Sequence, residues 1–301
     1  MSNEALERLN AALRTVKQTL GPNVPIAEMR AIQAKLGRPA PPDTVLQPID
    51  AGGVPAEWVT VPTSGNPVVL YLHGGAYTLG SIATAGEFGA RLARAASARV
   101  LLPEYRLAPE HLFPAALEDA ITAYRYLLGD GVAPERVVIA GGSAGGGLTL
   151  AALVALRDAG DPLPAAAVTI SAWTDLALTG ESISSRAHLD VLDDRETLAA
   201  MAETYLGGAD ARDPRASPLY ADLTGLPPLR MLVGTAEILY DDTVRLATRA
   251  RSVGVDVTVE EGPDLPHCYP LFAAMLPEGQ QAIERIGEFI HARTAAASVR
   301  G

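Results

Sequence analysis

The stretch VVIAGGSAGGG at 137–147 sets one serine among five glycines. Glycine-rich loops that cradle phosphates come in two common forms, and neither fits. No register puts glycines at the first, third and sixth positions of a dinucleotide loop, and no lysine is present for a P-loop. What remains is GxSxG, Gly141-Gly142-Ser143-Ala144-Gly145, between an apolar run with the character of a strand and the residues Leu148, Leu150, Ala151 and Leu153 that begin a helix. A serine on so sharp a strand-to-helix turn is presented as a nucleophile only where its neighbours at −2 and +2 are small enough for strand and helix to meet. Ser143 is therefore the candidate nucleophile, and the chemistry is acyl transfer.

Such a serine needs backbone donors for an oxyanion, a histidine base and an acid to orient the base. His73-Gly74-Gly75-Ala76 follows the apolar run VVLYL, and the amides of Gly74 and Gly75, with that of Ala144, are the candidate oxyanion hole. His73 itself is assigned to shaping that loop. On a sheet of this kind the catalytic groups run serine, acid, histidine along the chain. Of five histidines, His73 and His111 precede the serine, His188 falls in an irregular insertion and His291 in a C-terminal helical segment. His267, in DLPHCY after the last predicted strand, is the candidate base. The acid belongs after LRMLVG, where TAEILYDD offers three carboxylates. Glu237 lies closest to the strand end and is the first choice, whereas Asp241 and Asp242 suit the start of the next helix, where carboxylates favour the dipole. A base of this type must start neutral, so activity is expected to rise through the imidazole range near ~6.5. Cys268 beside His267 is read as packing, because one Cys and one His are too few ligands for zinc.

The elements around these residues alternate. Leu6, Leu9, Leu13, Val16 and Leu20 recur at 3, 4, 3 and 4 and predict a helix over 3–20 that packs on the protein's own body. A second helical piece near 26–36 ends at the breaker cluster GRPAPP. Beyond residue 45, short apolar runs at 68–72, 100–103, 137–140, 165–171, 229–234 and 255–260 alternate with helical stretches, one of them carrying Leu117, Ile121, Tyr124 and Leu128 after Pro114. Uniformly apolar strands separated by helices predict an α/β fold with a mostly parallel sheet covered on both faces. Residues 175–220 break the alternation around one helix near 193–206, as a lid over the sheet edge would. The expected division is 1–42 as an N-terminal helical cap segment, 43–174 and 223–301 as the two parts of the core, and 175–222 as the lid insertion.

Composition narrows the partners. With 48% hydrophobic and 20% charged residues, the 301-residue chain has the make-up of an ordinary globular protein. A net charge of −11 repels nucleic acid and acidic membrane surfaces, and no Lys/Arg run offsets it. The single cysteine forms no intramolecular disulfide, and the N-terminal stretch mixes charges without an apolar core. The expectation is a soluble, cytoplasmic protein that binds neither nucleic acid nor membrane.

Taken together, LYLHGGAYTLGS, EYRLAPEHLFPAALEDA, IAGGSAGGGL, SAWTDL, ASPLYADLTGLPPL, GTAEILYDD and LPHCY resemble the hormone-sensitive-lipase-like family of bacterial α/β-hydrolase esterases, in the family's order over most of residues 45–275. The resemblance implies an α/β-hydrolase fold with a helical cap, no metal or organic cofactor, a short-to-medium acyl ester as substrate, and frequent homodimers. It places Ser143 at the family nucleophile, His267 at the base, and Gly74, Gly75 and Ala144 at the oxyanion donors. Glu237 stands where the family usually has aspartate, Gly142 where many members have aspartate, and Ala76 at the third glycine of HGGG. The segment around Asp50 to Trp58 is similar to that of members that open lactones, which makes lactone hydrolysis the nearest alternative. Amide or carbamate cleavage and a non-catalytic small-molecule receptor are the more distant ones.

Overall fold

The computed structural model describes residues 3–19, 21 and 24–295. Eight strands form one sheet: β1 (Val45–Asp50), β2 (Pro55–Thr60), β3 (Val68–Leu72), β4 (Arg99–Pro103), β5 (Val137–Gly142), β6 (Ala166–Ile170), β7 (Leu229–Gly234) and β8 (Val257–Gly262). Their spatial order is β1-β2-β4-β3-β5-β6-β7-β8. From β4 through β8 every pairing is parallel, and only β1–β2 and β2–β4 are antiparallel. The expected α/β architecture is thus present, with an antiparallel edge.

The helices are α1 (Asn3–Thr19), α2 (Ile26–Leu36), α3 (Ile82–Ala95), α4 (Ala115–Gly129), α5 (Ala144–Ala159), α6 (Ser182–Ser185), α7 (Arg195–Leu206), α8 (Tyr240–Ser252) and α9 (Pro277–Ala295). Strand alternation divides the apolar residues between two cores. Val68, Leu70 and Leu72 of β3 and Ile139 of β5 point into one core, with Leu117 of α4, Leu148 of α5 and Leu246 of α8. Val69, Tyr71 and Val138 point into the other, with Leu9 of α1, Phe88 of α3 and Ile283 of α9. Each fully buried Leu or Ile contributes about 1.5–3 kcal/mol, so the central strands, buried on both faces, anchor everything their ends carry. Of the N-terminal helical stripe, Leu9 and Leu13 are buried against the body, and Leu20 lies outside the described residues.

Two expectations shift. The antiparallel hairpin β1–β2 has no counterpart in the apolar pattern, because β1 is exposed along nearly its whole length and carries no alternation to read. The last strand begins at Val257 rather than 255, since Val255 closes the turn after α8 by donating to the Ala250 carbonyl. The segment between β6 and β7 is irregular, as expected, with α6 and α7 as its helices. No helix among the described residues is long and apolar enough to cross a membrane.

Candidate active site

The carboxyl ends of β3, β5, β6, β7 and β8 lie side by side through the registers Leu72↔Gly141, Gly142↔Ile170, Ile170↔Leu232 and Gly234↔Gly262. In parallel sheets this edge is where ligands bind. Ser143 follows β5 directly and has φ 54° and ψ −124°, a conformation costing about 1–3 kcal/mol for a non-glycine residue. The turn persists because its surroundings fix it: the Ser143 amide donates to the Ile170 carbonyl at 2.8 Å, and the Ser143 carbonyl accepts from Gly146 at 2.9 Å and Trp173 at 3.0 Å. The flanking glycines are obligatory. A Cβ at Gly141 would stand 2.1 Å from the Gly145 carbonyl oxygen, and one at Gly145 would stand 2.1 Å from that of Leu72. Gly142 is different, since a Cβ there would meet nothing closer than the Tyr71 hydroxyl at 3.4 Å.

The loop after β3 brings Gly74 against the serine, with a Cβ built on Gly74 3.3 Å from that of Ser143. Gly75 has φ 122°, and its carbonyl accepts from Leu79 at 2.7 Å, which folds the loop back on itself. The amides of Gly74, Gly75 and Ala144 donate to no acceptor among the described residues, as donors reserved for a ligand would. His73 is buried, stacks on Tyr105 at 4.2 Å and has Nδ1 2.8 Å from the Gly74 carbonyl. Burial lowers its pKa to about 4, so it is neutral and suits the loop-shaping role.

Beyond β7 and β8 the loops are stitched together by Thr235 donating to the Gly262 carbonyl and Ala236 to that of Leu265. This brings His267 Nδ1 to 3.3 Å from Glu237 Oε1, with the glutamate fully buried. Asp241 instead accepts from the Ser182 amide, and Asp242 from the amides of Thr174 and Asp175. Both lie in the first turn of α8, as their sequence position suggested. His111, His188 and His291 are exposed.

The α/β-hydrolase-fold family profile matches residues 69–271. The chain belongs to the α/β-hydrolase family. It is 48% identical over 269 residues to an acetyl-hydrolase of Streptomyces hygroscopicus, covering 89% of each chain. An esterase of Acinetobacter venetianus is 34% identical, with 93% of each chain covered. Among solved structures, an esterase from the bacterial hormone-sensitive lipase family superposes with a TM-score of 0.94 at 44% identity, over 98% of this chain and 99% of that one.

In this α/β-hydrolase two further residues complete the surroundings of the imidazole, and neither was singled out from the sequence. Ser171, just after β6 with φ 48°, donates its hydroxyl to Glu237 Oε2 at 2.7 Å and accepts from the Cys268 amide at 2.9 Å. It ties the acid to the histidine loop. Glu237 Oε2 also accepts from the Gly234 amide at 3.1 Å. The second residue is Asp193, from the segment just before α7, whose Oδ2 lies 3.6 Å from His267 Nε2. Cys268 Sγ is 3.4 Å from the same nitrogen, closer to the chemistry than simple packing implies. No hydrogen bond joins His267 to Ser143 in this conformation. Resting sites often show loose catalytic bonds that tighten when substrate arrives.

These neighbours change the titration expected of the base. Burial alone pushes the His267 imidazolium down, but the Cys268 thiol and the Asp193 and Glu237 carboxylates outweigh it, and the net shift is well upward. The sequence-based midpoint near ~6.5 is therefore too low for this conformation, because Cys268, Asp193 and Glu237 all face one ring.

Proposed function

We propose that the chain is a serine carboxylic-ester hydrolase for short-to-medium acyl esters. The observation that carries this is the strained Ser143 turn with Gly74 against it and the His267–Glu237 pair on adjacent strand ends. The esterase and acetyl-hydrolase names of its relatives support the same reaction. Ser143 Oγ gives its proton to His267 Nε2 as it bonds to the ester carbonyl carbon. The carbonyl electron pair moves to oxygen, where the amides of Gly74, Gly75 and Ala144 meet it. Collapse breaks the bond to the leaving oxygen, which takes the proton from Nε2 and departs as the alcohol. Water then repeats the sequence on the acyl-enzyme, releasing the acid and free serine. Glu237 holds the ring through Nδ1 throughout.

Residues 1–42 and 175–222 serve as the cap over this site. Support comes from side chains that cross between the segments and the core. Lys17 Nζ donates to the carbonyls of Asp190 and Asp193, Gln33 Oε1 accepts from the Gly80 amide, and Tyr205 of α7 stacks on Tyr77 of the oxyanion loop at 4.0 Å. The remaining parts of the reading are a small-molecule ester as partner, no bound cofactor, a cytoplasmic setting and a homodimer, the last checked by sedimentation.

Turnover of p-nitrophenyl butyrate by Ser143→Ala tests the proposal. Activity should fall on the order of 10⁶-fold, and a fluorophosphonate should label the wild type at Ser143 alone. Normal turnover by the alanine variant would end the proposal.

A further inference from the structure

His267 Nε2 is the nitrogen that returns a proton to the leaving alcohol, so a group beside it faces the alcohol half of the substrate. Asp193 Oδ2 occupies that side at 3.6 Å. Its backbone is firmly held. Lys17 Nζ bonds the Asp193 carbonyl at 2.6 Å and that of Asp190 at 3.2 Å, and the Asp190 carboxylate accepts from Leu192, Asp193 and Ile238 amides. Asp190 and Lys17 thus use their polar atoms to fix the loop. The Asp193 carboxylate accepts no hydrogen bond among the described residues, and its ion-pair partner there is the imidazole itself. A half-buried carboxylate without donors gains most from a partner that brings one.

We propose that Asp193 is a specificity-determining residue: it selects esters whose leaving alcohol carries a positive charge or hydrogen-bond donor close to the ester oxygen, and disfavours those with an anionic alcohol half. This rests on the ester-hydrolase reading and on Nε2 facing the leaving group. An alcohol oxygen about 3 Å from Nε2 leaves a substituent two carbons further on within reach of Asp193. The groups facing Asp193 are His267 from the loop after β8, Glu237 from the loop after β7, Asp190 from its own loop and Lys17 from α1, with Cys268 beside the same imidazole nitrogen. A bound cation therefore meets a surplus of negative charge. Burial raises the Asp193 pKa to about 6, with Asp190 and Glu237 adding to the rise and His267 and Lys17 opposing it. The carboxylate is ionised at pH 8, and the selection fades as pH falls through about 6.

The test compares acetylcholine with its uncharged isostere 3,3-dimethylbutyl acetate. The wild type should favour the cation by about tenfold or more in kcat/KM at pH 8, and Asp193→Asn should bring the ratio near one. The chain's overall negative charge attracts a cation with or without Asp193, so the loss in the variant is the decisive reading. Equal rates in the wild type, or an unchanged preference in Asp193→Asn, would overturn the proposal. Asp193→Ser, with its fold checked by circular dichroism, serves where the asparagine variant does not fold. Should neither acetate turn over, their inhibition constants against p-nitrophenyl butyrate give the same ratio, and equal constants overturn it. Should no ester turn over at all, the enzyme reading falls separately. Calorimetric affinities of choline and 3,3-dimethylbutanol then decide the charge selection, and equal affinities reject it.

Discussion

Two carboxylates face one imidazole from opposite sides, and they are built differently. Glu237 comes from the sheet side, is fully buried, and has one oxygen occupied by the Ser171 hydroxyl and the Gly234 amide, leaving the other for His267 Nδ1. Asp193 comes from the segment between β6 and β7, stays partly exposed and takes no hydrogen bond from the described residues. The first has the arrangement of a group whose work is to hold a ring still. The second has that of a group waiting for something to arrive. Fixed donors around an acid make it an orienting group; missing donors leave it free to interact with a ligand.

The largest break in this contrast comes from Glu237→Ala. Removing the orienting acid should lower kcat on the order of 10⁴-fold, as for acids in other triads, with KM for p-nitrophenyl butyrate little changed. A loss below about tenfold would mean that Glu237 does not orient the base, and the same measurement on Asp241→Ala and Asp242→Ala would then locate the acid. Ser171→Ala sharpens the same side. It removes the hydroxyl that bonds Glu237 and accepts from the Cys268 amide, so kcat should fall about 10- to 100-fold through misplacement of the pair. An unchanged kcat would show that Gly234 alone holds the glutamate.

How the sequence announced these groups follows from how each is attached. Ser143, Gly74 and Gly75 sit within a few residues of a strand end, and their neighbours are forced small by backbone contacts, so local spacing exposes them. Glu237 and His267 are picked out by the serine, acid, histidine order along the chain, by closeness to a strand end and by elimination of the other histidines. Ser171 lies 66 residues from Glu237 and 97 from Cys268, and no local pattern encodes a bond across that distance. Asp193 sits in a segment without periodicity, beside Asp194, which caps α7 by accepting from the Thr197 amide, so nothing local sets it apart from its neighbour. The β1–β2 hairpin escaped for a simpler reason: an exposed edge strand needs no apolar alternation. Gly142 gained no explanation from the space around it, which admits a Cβ.

On the Asp193 side the expected change is a shift of pH rather than a loss of rate. Asp193→Asn removes one negative charge facing the imidazolium, which lowers the histidine pKa. The acid limb of kcat/KM for a neutral ester should move to lower pH by up to about one unit, while the plateau at high pH changes less. A limb that stays in place would show that Asp193 and His267 separate before chemistry. A limb that moves upward would contradict the contact altogether.

A third carboxylate gives the contrast its control. Asp242 is fully buried, accepts from the Thr174 and Asp175 amides through Oδ2, and leaves Oδ1 without a partner among the described residues. It faces no imidazole, and burial first, then Asp175, raises its pKa to about 8. An unfolded aspartate titrates near ~3.9, so between these values the folded chain keeps a proton that the unfolded chain has released. The stability Asp242 contributes is therefore complete below about pH 4 and is lost as pH rises through about 8. Asp242→Asn keeps an acceptor for the two amides and cannot ionise. Its melting temperature, relative to wild type, should improve from pH 5 to about pH 8 and level off above that, by about 2–4 °C for each kcal/mol recovered, with kcat within about twofold of wild type. A melting difference constant across that range would mean that the carboxylate is already ionised at pH 5, and that its two backbone donors outweigh burial.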